Sequence, residues 1–207
     1  MQRNSSIWLF VAVVLLVPFT VFGIYSWYQS RFQPLPFLGE EGHTISNFQL
    51  NDQSGATVSL QNWKGKIVVA NYFFTHCPSI CPKMMYQLKR VQAYAGIKNL
   101  QLASFTVDPE RDSVKRLQEY ATRFDIKGNW NLLTGDKKEL YRLARNSFMI
   151  TATDGDGGSD DFIHSDKLVL IDTQKRIRGF YNGTDEVQVN QLIKDVKRLA
   201  EERNSQR

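Results

Sequence analysis

The sequence predicts an α/β domain built on a mixed sheet, preceded by one helix long enough to cross a membrane. Three observations predict it. Between residues 67 and 148, apolar runs of strand length alternate with segments of helical period, which implies parallel strands joined by helices. A hairpin pattern follows between residues 167 and 181 and adds antiparallel strands. Residues 7–25 form an uncharged apolar stretch near the N-terminus.

The chain has 207 residues and a net charge of +5. That length is ample for one packed core. Lys and Arg are interspersed with Asp and Glu, and no long basic run or basic stripe with interleaved aromatics occurs. Nucleic acid is therefore excluded as the expected partner. The charge near the C-terminus, from Lys194 to Arg207, is of both signs and reads as a solvated helix face.

The stretch at residues 7–25, IWLFVAVVLLVPFTVFGIY, would span roughly 28 Å as a helix, close to a bilayer core of about 30 Å. Pro18 is tolerated in such a helix. A cleaved signal peptide has a shorter apolar region ending in small residues. Here Tyr25, Trp27 and Tyr28 follow instead, as an interfacial aromatic belt does. An uncleaved anchor is the expectation. Arg3 and the amino terminus precede the span, and Arg31 alone follows closely before Glu40 and Glu41. This weak bias puts the N-terminal tip in the cytoplasm and the rest of the chain outside. Six residues before the span leave no room for an organelle transit peptide, so a bacterial inner-membrane protein with a periplasmic domain is the simplest reading. The expected organisation is tip and anchor at 1–29, linker at 30–44 and folded domain at 45–207.

Pro34, Pro36 and Gly39 break the linker. Residues 45–60 read as a β-hairpin, with Phe48-Gln49-Leu50 and Thr57-Val58-Ser59-Leu60 flanking turn residues Asn51, Asp52, Ser54 and Gly55. Trp63-Lys64-Gly65-Lys66 is a turn. Residues 67–74 form an apolar run interrupted only by Asn71, as a strand buried on both faces should. From 83 to 94, Met84, Met85, Leu88 and Val91 recur at a helical period, with the methionines as core filler and Gly96 as the stop. Residues 100–107 form a second buried strand. Asp108-Pro109-Glu110-Arg111-Asp112 is a turn into a helix at 113–124, with Val114, Leu117, Tyr120 and Ala121 on one face. A short strand at 130–133 and a helix at 137–148 follow. Residues 151–161, TATDGDGGSDD, are rich in Gly and Asp and read as a flexible acidic loop. Residues 167–172 and 177–181 form the hairpin, and Asp185 caps a last helix from 186 to about 202. This order, with two cysteines after the first core strand, resembles the thioredoxin-like fold.

The chain's two cysteines, Cys77 and Cys81, are four positions apart in Thr75-His76-Cys77-Pro78-Ser79-Ile80-Cys81-Pro82. Such a pair can be a redox couple, a metal pair or a small structural disulfide. If both lie on a helix's first turn, their side chains share a face and can hold one metal. A helix N-terminus lowers thiol pKa, and Pro78 and Pro82 fit a helix start. Thiolates select copper(I) or zinc. In an oxidising compartment, an unprotected pair tends toward a disulfide. Two sulfurs leave a metal site incomplete, and the chain has three histidines. His43 falls in the linker and is expected to be exposed. His76 adjoins Cys77, so its side chain should point elsewhere. His164 precedes the strand at 167–172, whose start can lie beside the first helix; by position alone it reads first as a surface histidine and only second as a ligand.

Phe74-Thr75-His76-Cys77-Pro78-Ser79-Ile80-Cys81-Pro82, Val107-Asp108-Pro109-Glu110-Arg111-Asp112 and Phe162-Ile163-His164-Ser165, in that order, resemble the motifs of the Sco/SenC family of membrane-anchored, thioredoxin-like copper-binding proteins. The resemblance covers about residues 45–202. It implies that Cys77, Cys81 and His164 are copper ligands, about one copper per monomer, and that Asp108 supports them. It also implies delivery of copper to, or thiol reduction of, the CuA site of cytochrome c oxidase subunit II. Two features depart from the family. Ser79 stands where many members carry an acidic residue, and the acidic Gly-rich loop before His164 is an elaboration.

Two other functions compete. A thiol–disulfide oxidoreductase would use Cys77 to attack and Cys81 to resolve. The usual spacing is C-x-x-C, and such enzymes place a Pro where Ile163-His164-Ser165-Asp166 stands. A thiol peroxidase would need one low-pKa cysteine and would leave a histidine ligand without a purpose.

Overall fold

The computed structural model describes residues 5–32, 34–150 and 165–205. These fall into two compact units divided between Pro34 and Leu35. The first contains helix α1, Ser5–Phe32, with Pro18 inside it. Its segment Trp8–Ser26 is long and apolar enough to cross a membrane.

The second unit runs β1 (Gln49–Asp52), β2 (Thr57–Ser59), a 3₁₀ turn (Leu60–Trp63), β3 (Ile67–Phe73), α2 (Ile80–Ala95), β4 (Leu100–Thr106), α3 (Val114–Arg123), β5 (Trp130–Thr134), α4 (Lys137–Arg142), a π-helical turn (Leu143–Ser147), β6 (Lys167–Ile171), β7 (Ile177–Asn182) and α5 (Glu186–Ser205). The strands form one sheet in the order β2-β1-β5-β4-β3-β6-β7. β3, β4 and β5 are parallel, and the hairpins β1–β2 and β6–β7 join antiparallel at either side. This is the mixed, thioredoxin-like sheet that the alternation of patterns predicts.

Every residue of β3 and β4 is buried, because both faces of the sheet are covered. Ile67, Val69 and Phe73 face a cluster with Met84, Met85 and Leu88 of α2, Leu117 and Tyr120 of α3, and Val196 of α5. Val68, Ala70 and Tyr72 face the other cluster, with Trp63, Leu140 and Phe148. Met84 and Met85 are fully buried core residues, as expected. Gly96 ends α2 in the left-handed conformation (φ 65°), which a residue without Cβ adopts at no steric cost.

Several boundaries differ from the sequence pattern. α2 starts at Ile80 rather than at residue 83, because its first turn is amphipathically silent and contains Cys81 and Pro82. The helix expected through 148 is α-helical only to Arg142. It then widens into a π turn, with Phe148 N–H donating to Leu143 O at 2.9 Å. The segment read as a linker divides: α1 continues to Phe32, whereas Leu35 joins the core and Leu38 bridges Ile177 of β7. His43 is half-buried rather than exposed, its Nε2 held 2.8 Å from Ser147 O. The acidic loop at 154–161 and His164 lie outside the described residues.

Candidate metal centre

β3 delivers the chain to the site. Its end is pinned by Val107 N–H donating to Phe73 O (2.9 Å), and a turn closes with Cys77 N–H donating to Phe74 O (3.2 Å). The loop then rests on a buried carboxylate. Asp112 accepts from Thr75 N–H (3.1 Å), Thr75 Oγ1 (2.5 Å) and Thr106 Oγ1 (2.6 Å), and its own N–H donates to Asp108 O at 2.8 Å. A carboxylate removed from water needs such donors, and here all three side-chain contacts are to neutral groups on the strand ends and the loop.

α2 begins without the usual side-chain cap, since Ser79 at its N-cap makes no such bond. The Cys77 sulfur takes that place: Cys81 N–H donates to Cys77 Sγ at 3.3 Å. Cys77 therefore lies before the helix and not on its first turn, while Cys81 is the second helical residue. Pro82 is third, where a missing N–H costs nothing. Both cysteines are unpaired thiols, Cys77 8% exposed and Cys81 2% exposed.

Their acidities separate. Burial pushes the Cys77 thiol up, but hydrogen bonds from the backbone of Cys81, Ser79 and Ile80 and from the Cys81 thiol outweigh it, leaving Cys77 below its ordinary value. Cys81 is pushed up to about 12, first by burial and then by its hydrogen bond to Cys77. One sulfur is thus ready to carry charge while its neighbour keeps its proton.

The remaining residues singled out by sequence fall as follows. His76 is exposed, and its ring is engaged by Thr75 and Arg116. Its Nδ1 is 3.2 Å from Thr75 Oγ1, and Arg116 Nη2 reaches its Nε2 at a long 3.5 Å. Because the Thr75 hydroxyl proton goes to Asp112, the tautomer with hydrogen on Nδ1 fits both contacts. Asp108 closes β4: its N–H donates to Thr106 Oγ1 (3.0 Å) and its carboxylate stands 3.7 Å from Arg111 Nη1. Among the described residues, no three His, Cys, Asp or Glu side chains cluster as a metal site. Ser165, the neighbour of His164 in sequence, lines a cavity of about 10 Å³ with Cys81, Ile80, Phe74 and Val107.

Sequence reasoning missed Asp112 and Thr75. Both lie inside the quoted motifs, but nothing in composition says that a carboxylate 37 residues from Thr75 in sequence will sit beneath it.

A family model described as SCO1/SenC matches residues 38–201. The SCO1 protein homolog of Bacillus subtilis is 31% identical over 159 residues, covering 75% of this chain and 82% of the relative. Less of the longer mitochondrial relatives is spanned, 60% in the case of the mouse SCO2 homolog (26% identity, 73% of this chain). Among solved structures, BsSco, described for a disulfide switch and as a member of the Sco family of cytochrome c oxidase assembly proteins, superimposes with a TM-score of 0.68 at 29% identity, over 81% of this chain and 98% of that one. ScoI of Bradyrhizobium japonicum with copper bound gives 0.61 at 26% identity, over 75% and 99%.

Proposed function

Because the chain belongs to the SCO1/SenC family, we propose that it is a membrane-anchored copper metallochaperone whose Cys77 and Cys81 thiolates and His164 imidazole hold about one copper per chain. The observation that carries this reading is the contact of Cys81 N–H with Cys77 Sγ, which sets two soft donors side by side at a helix N-terminus. Bound copper supplies the ion that is handed on. The chain's own residues hold the sulfurs together, keep water from Cys81 and release thiol protons as metal enters. For His164, support comes from Ser165 beside Cys81 and from the β3–β6 register, which pairs Asn71 near the end of β3 with Leu168 near the start of β6. Asp108 we read as a support to the ligands from the end of β4.

The copper-bound relative and the relative placed in cytochrome c oxidase assembly favour the CuA site of subunit II as the destination. The apolar segment of α1 favours a single-pass anchor in a bacterial inner membrane with the folded domain in the periplasm. The test is anaerobic copper loading of the full chain in detergent, reading metal stoichiometry and the copper(II) spectrum. Cys77→Ser and Cys81→Ser should each abolish stable loading, and His164→Ala should weaken it. Unchanged affinity and spectrum in His164→Ala would remove that residue from the site.

The divided thiol acidities favour a second reading, reduction of the partner's CuA cysteines. The Cys77 thiolate would attack the partner disulfide, and Cys81 would resolve the mixed disulfide, leaving Cys77–Cys81 oxidised and the partner's dithiol reduced. The spacing, one residue longer than C-x-x-C, counts against a general oxidoreductase. Biological activity retained in His164→Ala but lost in Cys77→Ser would put this reading first.

A further inference from the structure

Tyr120 carries a buried polar atom that the site as described leaves unused. The residue is 6% exposed, and its hydroxyl is fully buried with no hydrogen-bond partner among the described residues. Native proteins rarely leave a buried donor idle, and such a group calls for an explanation. Its surroundings offer one. Tyr120 belongs to the same buried cluster as Cys77 and Cys81, and its ring lies 5.3 Å from that of Phe73, the last residue of β3 before the cysteine loop. Phe124 closes the other side at 4.5 Å. α3 also faces the loop independently: Arg116, one turn before Tyr120 on the same stripe, reaches Thr75 Oγ1 and His76 Nε2.

We propose, building on the copper reading above, that the Tyr120 hydroxyl is a hydrogen-bond donor held for the sulfurs of the Cys77–Cys81 pair once they are thiolates, and that it strengthens their hold on copper. A thiol is a weak acceptor and gives the phenol little to bind. A thiolate is a charged acceptor and gives it a strong partner. Outer hydrogen bonds to metal-bound sulfur adjust both affinity and electronic structure. Trp63 Nε1 is likewise unpartnered, but it belongs to the cluster on the opposite face of the sheet, which contains no cysteine.

Tyr120→Phe in the full chain tests this, because it keeps the ring and removes only the hydroxyl. In the reduced, metal-free protein the variant should melt no lower than wild type, since no hydrogen bond is lost. Copper affinity, measured by competition with a chelator, should fall about tenfold or more, the usual scale for an outer partner of a metal ligand. The sulfur-to-copper(II) charge-transfer band should shift in energy. Wild-type affinity and an unmoved band would overturn the inference while leaving the copper reading intact. A metal-free melting point that falls in step with affinity would also overturn it, by making Tyr120 a packing residue. A wild-type chain that takes up no copper with a sulfur band would overturn the copper reading, and the inference with it.

Discussion

The two ends of β3 each carry a buried polar cluster, and they are built on opposite principles. At the Ile67 end, a cavity of about 30 Å³ is lined by Asp172, Arg176, Arg178 and Glu202. Arg178 is 3% exposed, and all its nitrogens are engaged: Asp172 at 3.1 Å, Glu202 at 2.9 Å, Pro36 O at 3.1 Å and Leu35 O at 2.5 Å. The Phe37 ring lies against the guanidinium groups of Arg176 and Arg178 at 4.1 and 4.4 Å. At the Phe73 end, the hydrogen bonds to Asp112 come from neutral donors, burial pushes the Cys81 thiol up, and the Tyr120 hydroxyl has no partner among the described residues. The first end is complete and fastens residues 35–37 to the domain. The second holds unused capacity, as sites that bind something do.

The largest expected effect breaks the complete end. Arg178→Ala leaves buried Asp172 with Arg176 as its remaining charged partner, takes the guanidinium from half-buried Glu202 and frees two backbone carbonyls, which together should cost about 3 kcal/mol in denaturant unfolding, the low end for a broken buried pair. Copper uptake by the molecules that remain folded should be unchanged. A cost below about 1 kcal/mol, the scale of an exposed pair, would erase the contrast between the two ends. Next in size is Asp112→Ala. It strands the Thr75 N–H and two hydroxyls, for about 2–3 kcal/mol. Unlike Arg178→Ala, it should also speed alkylation of Cys81 in the folded protein, because Thr75 no longer ties the loop down. Unaltered labelling of Cys81 would mean that Asp112 supports the fold and not the loop.

The contrast also explains what the sequence could convey. Strands and helices whose pattern is local were legible: the apolar run of β3, the period of α2 and the turn chemistry around Gly96. Cys77 and Cys81 were legible as a pair because their spacing is itself local. The fastening of Leu35 by Arg178 was not, since it joins positions 143 residues apart and reads as a proline-broken linker. Asp112 and Asp108 look alike within one turn of sequence, because only the folded chain distinguishes the carboxylate beneath Thr75 from the one beside Arg111. The π turn at Leu143–Ser147 keeps the apolar spacing of an α-helix closely enough to be hidden by it.

A smaller effect sharpens the difference between the two sulfurs. Cys81 has a folded-state pKa above that of an unfolded thiol, so its contribution to stability is complete below the unfolded value, about 8.5, and is lost as pH rises toward about 12. Cys77 is shifted the other way: its contribution is present above the unfolded value and is lost as pH falls through its folded value. Stability of the reduced, metal-free chain should therefore decline more steeply above pH 9 in wild type than in Cys81→Ser. Alkylation of Cys77 should begin at a lower pH than that of a free cysteine. Equal slopes in the two proteins would mean that water reaches Cys81 more freely than its 2% exposure implies.

The smallest effect is expected at the residue that sequence proximity most tempts one to call a ligand. His76 adjoins Cys77, yet Nδ1 is turned to Thr75 and the lone pair of Nε2 faces the Arg116 guanidinium, which a metal would have to displace. The side chain is exposed, so both contacts compete with water. His76→Ala should change stability by no more than about 0.5 kcal/mol, and copper affinity by no more than about twofold, which is the same quantity expressed as binding. His164→Ala, measured in the same titration, should lose far more. Equal losses from the two substitutions would mean that the ring of His76 leaves Thr75 and Arg116 when copper binds, and the open end of β3 would then have a different third ligand.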